Sequence, residues 1–274
     1  MKPEIIDGEK IAEEILTELE QKHLEGTPKL HIILVGDSPA SKTYIHEKEE
    51  ACERLGFEAE VESFSSEVEE SEVLEDIKHA NRDPEIDGII VQLPLPDHIE
   101  NNRVFETLSP EKDVDCLTPE NLGKVMRGNP WVKPCAVGGI EKILEAEQVD
   151  VAGKNVVIIN NSNLIGKPLS MDLTQKEATA TICHRKTEDL PEHTQEADIV
   201  VTATGEPELV TDDIIAEDAI VIDAGYSYTD GELNQETKEL EKPSEISTVP
   251  GGLGPVTVAM TMNNIVKIKE KRSW

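Results

Sequence analysis

Aromatic residues are scarce. Phe, Tyr and Trp make up 3% of 274 residues, which removes the stacking platforms that single-stranded nucleic acids need. Positive charge is scarce too: 26 Lys+Arg face 57 Asp+Glu, a formal net charge of −31, so there is no basic footprint for a phosphate backbone. No run approaches the roughly 18 apolar residues of a membrane span. The opening MKPEIIDGEK lacks the apolar core of a secretory signal. The four cysteines (Cys52, Cys116, Cys135, Cys183) form no CxxC pair, and the histidines form no HxxxH. No metal, structural zinc included, is expected, and a reduced, cytoplasmic chain follows. Neither nucleic acid nor a membrane is an expected partner.

What is abundant is acid, spread along the chain and densest over Glu67–Glu75. Distributed charge reads as a solvated surface rather than an acidic tail. It suits a salt-rich cytoplasm, where self-repulsion is screened. An acidic protein of an ordinary cytoplasm is the alternative.

Short apolar runs alternate with helical periods, which implies parallel α/β structure. Ile11, Ile15, Leu16 and Leu19 recur at helical spacing. Leu30–Val35 reads as a buried strand, about Ser41–Leu55 as a helix, and Glu58–Glu62 as a weaker strand. Leu74, Ile77 and Ala80 mark another helix, and Ile86–Leu93 is a strand stopped by Pro94 and Pro96. The stretch Val114–Gly139 holds helical pieces but no strong strand. A second series follows: strand Val156–Ile159, helix Gly166–Lys176, then strands Ala178–Cys183, Ile199–Ala203 and Ala219–Asp223. A long helix, roughly Pro255–Lys271, ends the chain. Two βα series suggest two α/β lobes.

Several strings could carry chemistry. Tyr44 and Lys48 are four apart and share a helix face that continues through Ala51, Cys52 and Leu55, so the lysine should point inward. Either it snorkels to solvent or pairs with a glutamate, or it is a desolvated amine with a lowered pKa that moves protons beside a tyrosine hydroxyl. Gln92 ends a buried strand, where open α/β sheets bind ligands; capping a turn is the plainer role. Asp113 and Asp115 in KDVDC fit either a turn cap or a site.

Asn160–Pro168 (NNSNLIGKP) joins a strand to a helix, the place of a phosphate-cradling loop, although of the usual glycines only Gly166 is present. Asn160 tolerates a left-handed turn there. The next strand ends in Cys183-His184-Arg185-Lys186 with no acid for a ribose, and arginine suits a 2′-phosphate; an exposed basic turn is the alternative. Val249–Pro255 (VPGGLGP) predicts a tight loop opening onto the last helix, with Pro255 in its first turn.

Taken together, these strings resemble the bifunctional methylenetetrahydrofolate dehydrogenase/cyclohydrolase family. The likeness runs from Ile5-Ile6-Asp7-Gly8 to the final helix. It passes through Val35-Gly36-Asp37, Pro39-Ala40-Ser41, Tyr44 with Lys48, Val91–Pro96 (VQLPLP) and Lys112–Asp115 (KDVD). Pro134-Cys135, Ser162 with Gly166-Lys167-Pro168, and Val249–Thr257 (VPGGLGPVT) follow in order.

The resemblance implies two Rossmann-like lobes with parallel sheets flanking a cleft, the C-terminal helix returning to the N-terminal lobe. The folate-binding catalytic domain would be residues 1–118 with 255–274, and the nicotinamide-cofactor domain 119–254. It implies a homodimer acting on tetrahydrofolate derivatives in one-carbon metabolism. The reactions would be NADP-dependent oxidation of 5,10-methylene-tetrahydrofolate and hydrolysis of the methenyl product to 10-formyl-tetrahydrofolate. Lys48 would be the catalytic acid/base, Tyr44 its partner over the folate ring, Gln92 the group holding lysine and substrate, and Asp115 the ligand of the pterin edge. Gly251, Gly252 and Pro255 would line the substrate. Asn160, Asn161, Ser162, Gly166, Arg185 and Lys186 would meet the cofactor.

The sequence departs from the family in places. The usual Gly-Arg-Ser is Asn160-Asn161-Ser162, the usual Pro-Cys-Thr-Pro is Pro134-Cys135-Ala136-Val137, and the glycine after the second Asp is Cys116. The Gly-Asp-Val expected after Gly231-Glu232-Leu233 is missing and the region shortened. NAD in place of NADP, one dominant activity, or a folate-binding paralogue without turnover are the alternatives. The intact Tyr44, Lys48, Gln92 and Asp115 argue against the last.

Overall fold

A computed structural model describes residues 2–225, 227–229, 232–237 and 240–272; Gly231 lies outside the described residues. The chain divides into two compact units, one of residues 1–13 with 136–257, the other of 14–135 with 258–274. In chain order the first elements are β1 (Glu4–Ile6), α1 (Gly8–Glu20), β2 (Lys29–Val35), α2 (Pro39–Leu55), β3 (Glu58–Phe64), α3 (Glu70–Arg82) and β4 (Gly88–Val91). Then come α4 (Asn101–Thr107), α5 (Pro119–Met126), α6 (Cys135–Ala146), β5 (Asn155–Ile159), α7 (Gly166–Gln175), β6 (Thr179–Cys183) and α8 (Leu190–Thr194). The rest are β7 (Ile199–Thr202), β8 (Ile220–Asp223), β9 (Ser227–Thr229), β10 (Glu232–Asn234), β11 (Glu245–Ser247) and α9 (Leu253–Arg272).

The unit of residues 14–135 and 258–274 is built on a parallel sheet of order β3-β2-β4. From Leu30 onward β2 is buried, which is why it reads as an unbroken apolar run. Its core gathers Ile33, Val35, Val73, Ile77, Ile89 and Val91, with Val104 from α4. The strand expected over Ile86–Leu93 is shorter. Asp87 turns its carboxylate to the Lys29 N–H (3.0 Å) and to Lys269 Nζ (2.9 Å), while Gln92 keeps one ladder bond, N–H to Ile33 O at 2.9 Å. Pro39 sits in the first turn of α2, and Gly56 ends it in a left-handed conformation, φ 68°.

The unit of residues 1–13 and 136–257 is built on a parallel sheet of order β1-β11-β8-β7-β5-β6; β9 and β10 form an antiparallel pair. Val157, Ile159, Val200, Val221 and Ile246 lead its core. Strand order reverses at β5, whose neighbours are β6 and β7, so the carboxyl ends of these strands lie where open α/β sheets generally take their ligands. The parallel α/β architecture expected from the sequence is what the chain adopts. Two three-residue strands, β1 and β11, extend one side of this sheet unforeseen.

Candidate active site

The buried face of α2 carries Ser41, Ile45, Lys48, Ala51 and Cys52, a helical stripe that takes the lysine inside with it. Lys48 is 6% exposed. Its ammonium does not reach out to solvent: Nζ donates to Gln92 Oε1 at 2.9 Å. Gln92 Nε2 in turn donates to Leu93 O at 2.9 Å. That second bond fixes which way the amide faces and leaves the carbonyl oxygen for the lysine. Gln92 is thus more than a turn cap. Tyr44, one turn before Lys48, is half-buried.

The two aspartates of KDVDC separate. Asp113 organises the turn: Oδ1 accepts the Leu117 N–H at 3.0 Å, and Oδ2 accepts the Thr118 N–H and Asn121 Nδ2, both at 2.9 Å. Burial pushes its carboxyl up, and those donors pull it back. Asp115 is half-buried, and its charge lies close to the Cys135 thiol, which donates to Val114 O at 3.6 Å. Burial, then the Asp115 charge, hold that thiol well above its ordinary range, opposed by a Thr261 hydrogen bond and the Lys48 charge. The φ of Cys116 is 58°, a conformation that favours the family's glycine, and nothing in the structure explains the cysteine in its place. Its buried thiol donates to Val132 O at 3.3 Å.

In the other unit, Asn160 follows β5. The left-handed conformation expected of it is not adopted. Its side chain shapes the turn instead: Oδ1 accepts the Ser162 N–H (2.8 Å), the Ser162 hydroxyl (2.7 Å) and the Gly166 N–H (2.9 Å), and Nδ2 donates to Ala203 O. A backbone that bonds its own side chain in this way has no need of positive φ. A Cβ on Gly166 would collide with the Asn160 carbonyl, so glycine is required where α7 begins. Asn161 is exposed. Because β6 pairs with β5, Ile159 beside Cys183, the exposed Arg185 and Lys186 leave the sheet at the same edge as Asn160.

Sequence reasoning missed a buried acid pair at that edge. Glu236 accepts from Thr202 Oγ1, Thr204 Oγ1 (3.0 Å) and the Gly205 N–H, tying down the segment after β7. Asp223, the last residue of β8, accepts the N–H groups of Gly225 (2.9 Å), Glu236 (2.7 Å) and Thr237 (3.0 Å). An acid closing an apolar strand was the available signal. The loop VPGGLGP packs against the start of α1. The Gly8 N–H donates to Gly251 O at 2.9 Å, Gly251 has φ 91°, and a Cβ on Gly252 would meet the Thr248 carbonyl. Pro255 lies in the first turn of α9.

A parallel sheet whose strand order reverses, with a glycine-started helix at its switch point, in one chain with a second α/β unit that pairs a buried lysine with a glutamine, defines a two-unit, dinucleotide-dependent α/β enzyme. Residues 6–115 match the tetrahydrofolate dehydrogenase/cyclohydrolase catalytic domain, and residues 134–273 the NAD(P)-binding domain of the same family. The bifunctional protein FolD of Bacillus subtilis is 42% identical over 273 residues, 96% of each chain. The crystal structure of the FolD methylenetetrahydrofolate dehydrogenase/cyclohydrolase from Campylobacter jejuni superposes with a TM-score of 0.91 at 36% identity, covering 98% of this chain and 99% of that one. The Trypanosoma brucei enzyme, complexed with NADP and an inhibitor, gives 0.94 at 30% identity, covering 100% and 99%. The chain belongs to the tetrahydrofolate dehydrogenase/cyclohydrolase family, and it is an enzyme with an NAD(P)-binding domain, as the resemblance implied. Among the described residues no helix is long and apolar enough to cross a membrane.

Proposed function

We propose that the protein oxidises 5,10-methylene-tetrahydrofolate with NADP and hydrolyses the methenyl product to 10-formyl-tetrahydrofolate. The observation that carries this reading is the pairing of buried Lys48 with half-buried Gln92, an amine withdrawn from water and aimed by an amide that is itself fixed. The folate-handling part would be residues 1–118 with 255–274, and the cofactor part 119–254.

The residues at the β5–β6 edge fit a nicotinamide dinucleotide. Gly166 admits no side chain where a pyrophosphate would approach, and the Arg185 guanidinium and Lys186 ammonium are anion ligands, with no acid beside them in the turn to claim a ribose. Asn160, Asn161, Ser162, Gly166, Arg185 and Lys186 would hold it. When bound, the cofactor supplies the hydride acceptor for a carbon flanked by two nitrogens.

What remains for the chain is orientation and proton movement. Asp115 would accept hydrogen bonds from the pterin edge, and Tyr44 would lie over the folate ring. Gly251, Gly252 and Pro255 would allow close backbone approach of the substrate. Hydrolysis adds one water to the methenyl carbon, breaks its bond to one ring nitrogen and releases one proton. Lys48 would take the proton of the attacking water and pass one to the departing nitrogen, and Gln92 would hold Nζ in place for both transfers. A homodimer and a salt-rich cytoplasm complete the proposal, the first supported by the family resemblance, the second by the net charge of −31.

A spectrophotometric assay with methylene-tetrahydrofolate and each nicotinamide cofactor tests it. Formation of the methenyl chromophore with NADP, followed by its decay, is expected. Absence of both steps with either cofactor would leave a protein that only binds folate.

A further inference from the structure

Asn264 lies on α9, 1% exposed, in the same unit as Asp115 and Cys135. Its Nδ2 is 2.9 Å from Val114 O, 2.8 Å from Lys133 O and 3.4 Å from Cys135 Sγ. An amide nitrogen has two hydrogens. Two carbonyls at these distances take both, and the sulfur shares one of them. The first carbonyl belongs to the peptide that joins Val114 to Asp115. The second belongs to the peptide that joins Lys133 to Pro134, immediately before Cys135. One side chain therefore pins the backbone of both segments, and Cys135 Sγ adds a bond of its own to Val114 O at 3.6 Å.

The other end of the amide is as telling. Asn264 Oδ1 is buried and has no hydrogen-bond partner among the described residues. A lone buried acceptor is costly to leave unmade, so this asparagine is not the cheapest filler of its space. Turning the amide over would face oxygen with oxygen at both carbonyls and lose both bonds. The structure thus accepts one unsatisfied oxygen to keep two donors on the segments that carry Asp115 and Cys135.

We infer that Asn264 is a positioning residue for folate binding: it sets the direction of the Asp115 carboxylate and touches no substrate itself. The inference rests on the reading of Asp115 as the pterin ligand. Without the two donors, the 114–115 peptide keeps only the longer thiol bond on its carbonyl, and Asp115 loses its aim. The effect belongs in the KM for folate, in both reactions, more than in kcat.

The test is a double-mutant cycle of Asn264→Ser with Asp115→Ala, read by the KM for methylene- and methenyl-tetrahydrofolate and by the KM for NADP. Asn264→Ser should raise both folate KM values by about tenfold, the effect of one lost buried hydrogen bond. The KM for NADP should stay within a factor of about two, and in the Asp115→Ala background the serine should add almost nothing. The isosteric Asn264→Asp is the second variant: protonated, its carboxyl keeps one donor, and ionised it keeps none. Its folate KM should rise with pH relative to wild type, a profile that simple loss of packing does not produce. If Asp115→Ala itself leaves the folate KM unchanged, the reading of Asp115 fails and takes the inference with it. If Asp115→Ala raises the KM but the serine effect is additive or absent, or the Asn264→Asp profile is flat, the inference alone is overturned.

Discussion

The backbone N–H of Glu236 lies 2.7 Å from Oδ2 of Asp223, so one buried acid donates its backbone to the carboxylate of another. Burial pushes the Asp223 carboxyl up to about 6 from an ordinary 3.8, and the nearby Glu236 charge adds to the rise, against the pull of three N–H donors. Folding therefore favours protonated Asp223. Its contribution is complete below pH 3.8 and is lost as pH climbs through about 6. An amide at this position would not titrate. The stability of Asp223→Asn relative to wild type should thus increase between about pH 4 and pH 7, by up to about 3 kcal/mol. Urea unfolding of both proteins across that range gives the difference, and a pH-independent gap would show that the site does not titrate as described.

Lys48→Met keeps a long stem on the buried face of α2 and removes the amine. Fold and NADP binding should survive, while hydrolysis of the methenyl compound falls by about 10²- to 10⁴-fold, the usual worth of a placed proton-transfer group. Near-wild-type hydrolysis by the purified variant would remove Lys48 from the mechanism.

Arg185 stands exposed where β6 ends, and Asn161 replaces the arginine usual in the family. A single charge-assisted hydrogen bond to a 2′-phosphate is worth about 1.5–3 kcal/mol, or about 10- to 150-fold. Arg185→Ala should raise the KM for NADP within that range and leave that for NAD nearly unchanged, with the gap narrowing in high salt. Equal effects on the two cofactors, or a wild type that prefers NAD, would show that this guanidinium does not read the phosphate.

Glu4 and Glu245 stand opposite one another in the β1–β11 pair, and Glu245 Oε2 is buried without a hydrogen-bond partner among the described residues. Burial first, then the Glu147 and Glu4 charges, push the Glu245 carboxyl up. Facing like charges destabilise a strand pair, and salt screens them, with a Debye length of about 3 Å at 1 M against about 10 Å at 0.1 M. Melting temperature should fall by several degrees as KCl drops from molar to millimolar, and Glu4→Gln should recover part of the loss only at low salt. A melting temperature indifferent to salt would end the halophilic reading and leave the enzymatic one standing.

The residues that were legible share a physical trait: their signal is local. β2, the buried stripe of α2 and α9 announce themselves by unbroken or periodic apolar runs. Lys48 and Gln92 could each be picked out, one on an inward helix face and one at a strand end, but their meeting spans 44 positions. β1 and β11 were invisible because each is three residues long, begins with glutamate and forms beside a distant partner. The left-handed turn open to Asn160 is not taken, because its side-chain hydrogen bonds decide the turn. Asn264 gave no sign at all, since an asparagine beside Asn263 in the middle of α9 does not reveal which distant carbonyls it bonds.

The pairing of β1 with β11 joins residues 4–6 to residues 245–247. The other unit likewise draws on residues 258–274. A ribosome releasing this chain from its N-terminus therefore delivers almost the whole polypeptide before either unit has all its parts. The Ile32–Val35 and Ile89–Val91 strands are out early, apolar and uncovered, and the dense charge at Glu67–Glu75 leaves the ribosome between them. Acid interleaved with waiting strands keeps an incomplete chain from pairing with its neighbours. Ribosome-bound chains that stop short of residue 245 should be cut readily by protease in both units, and protection should arrive together, late in synthesis.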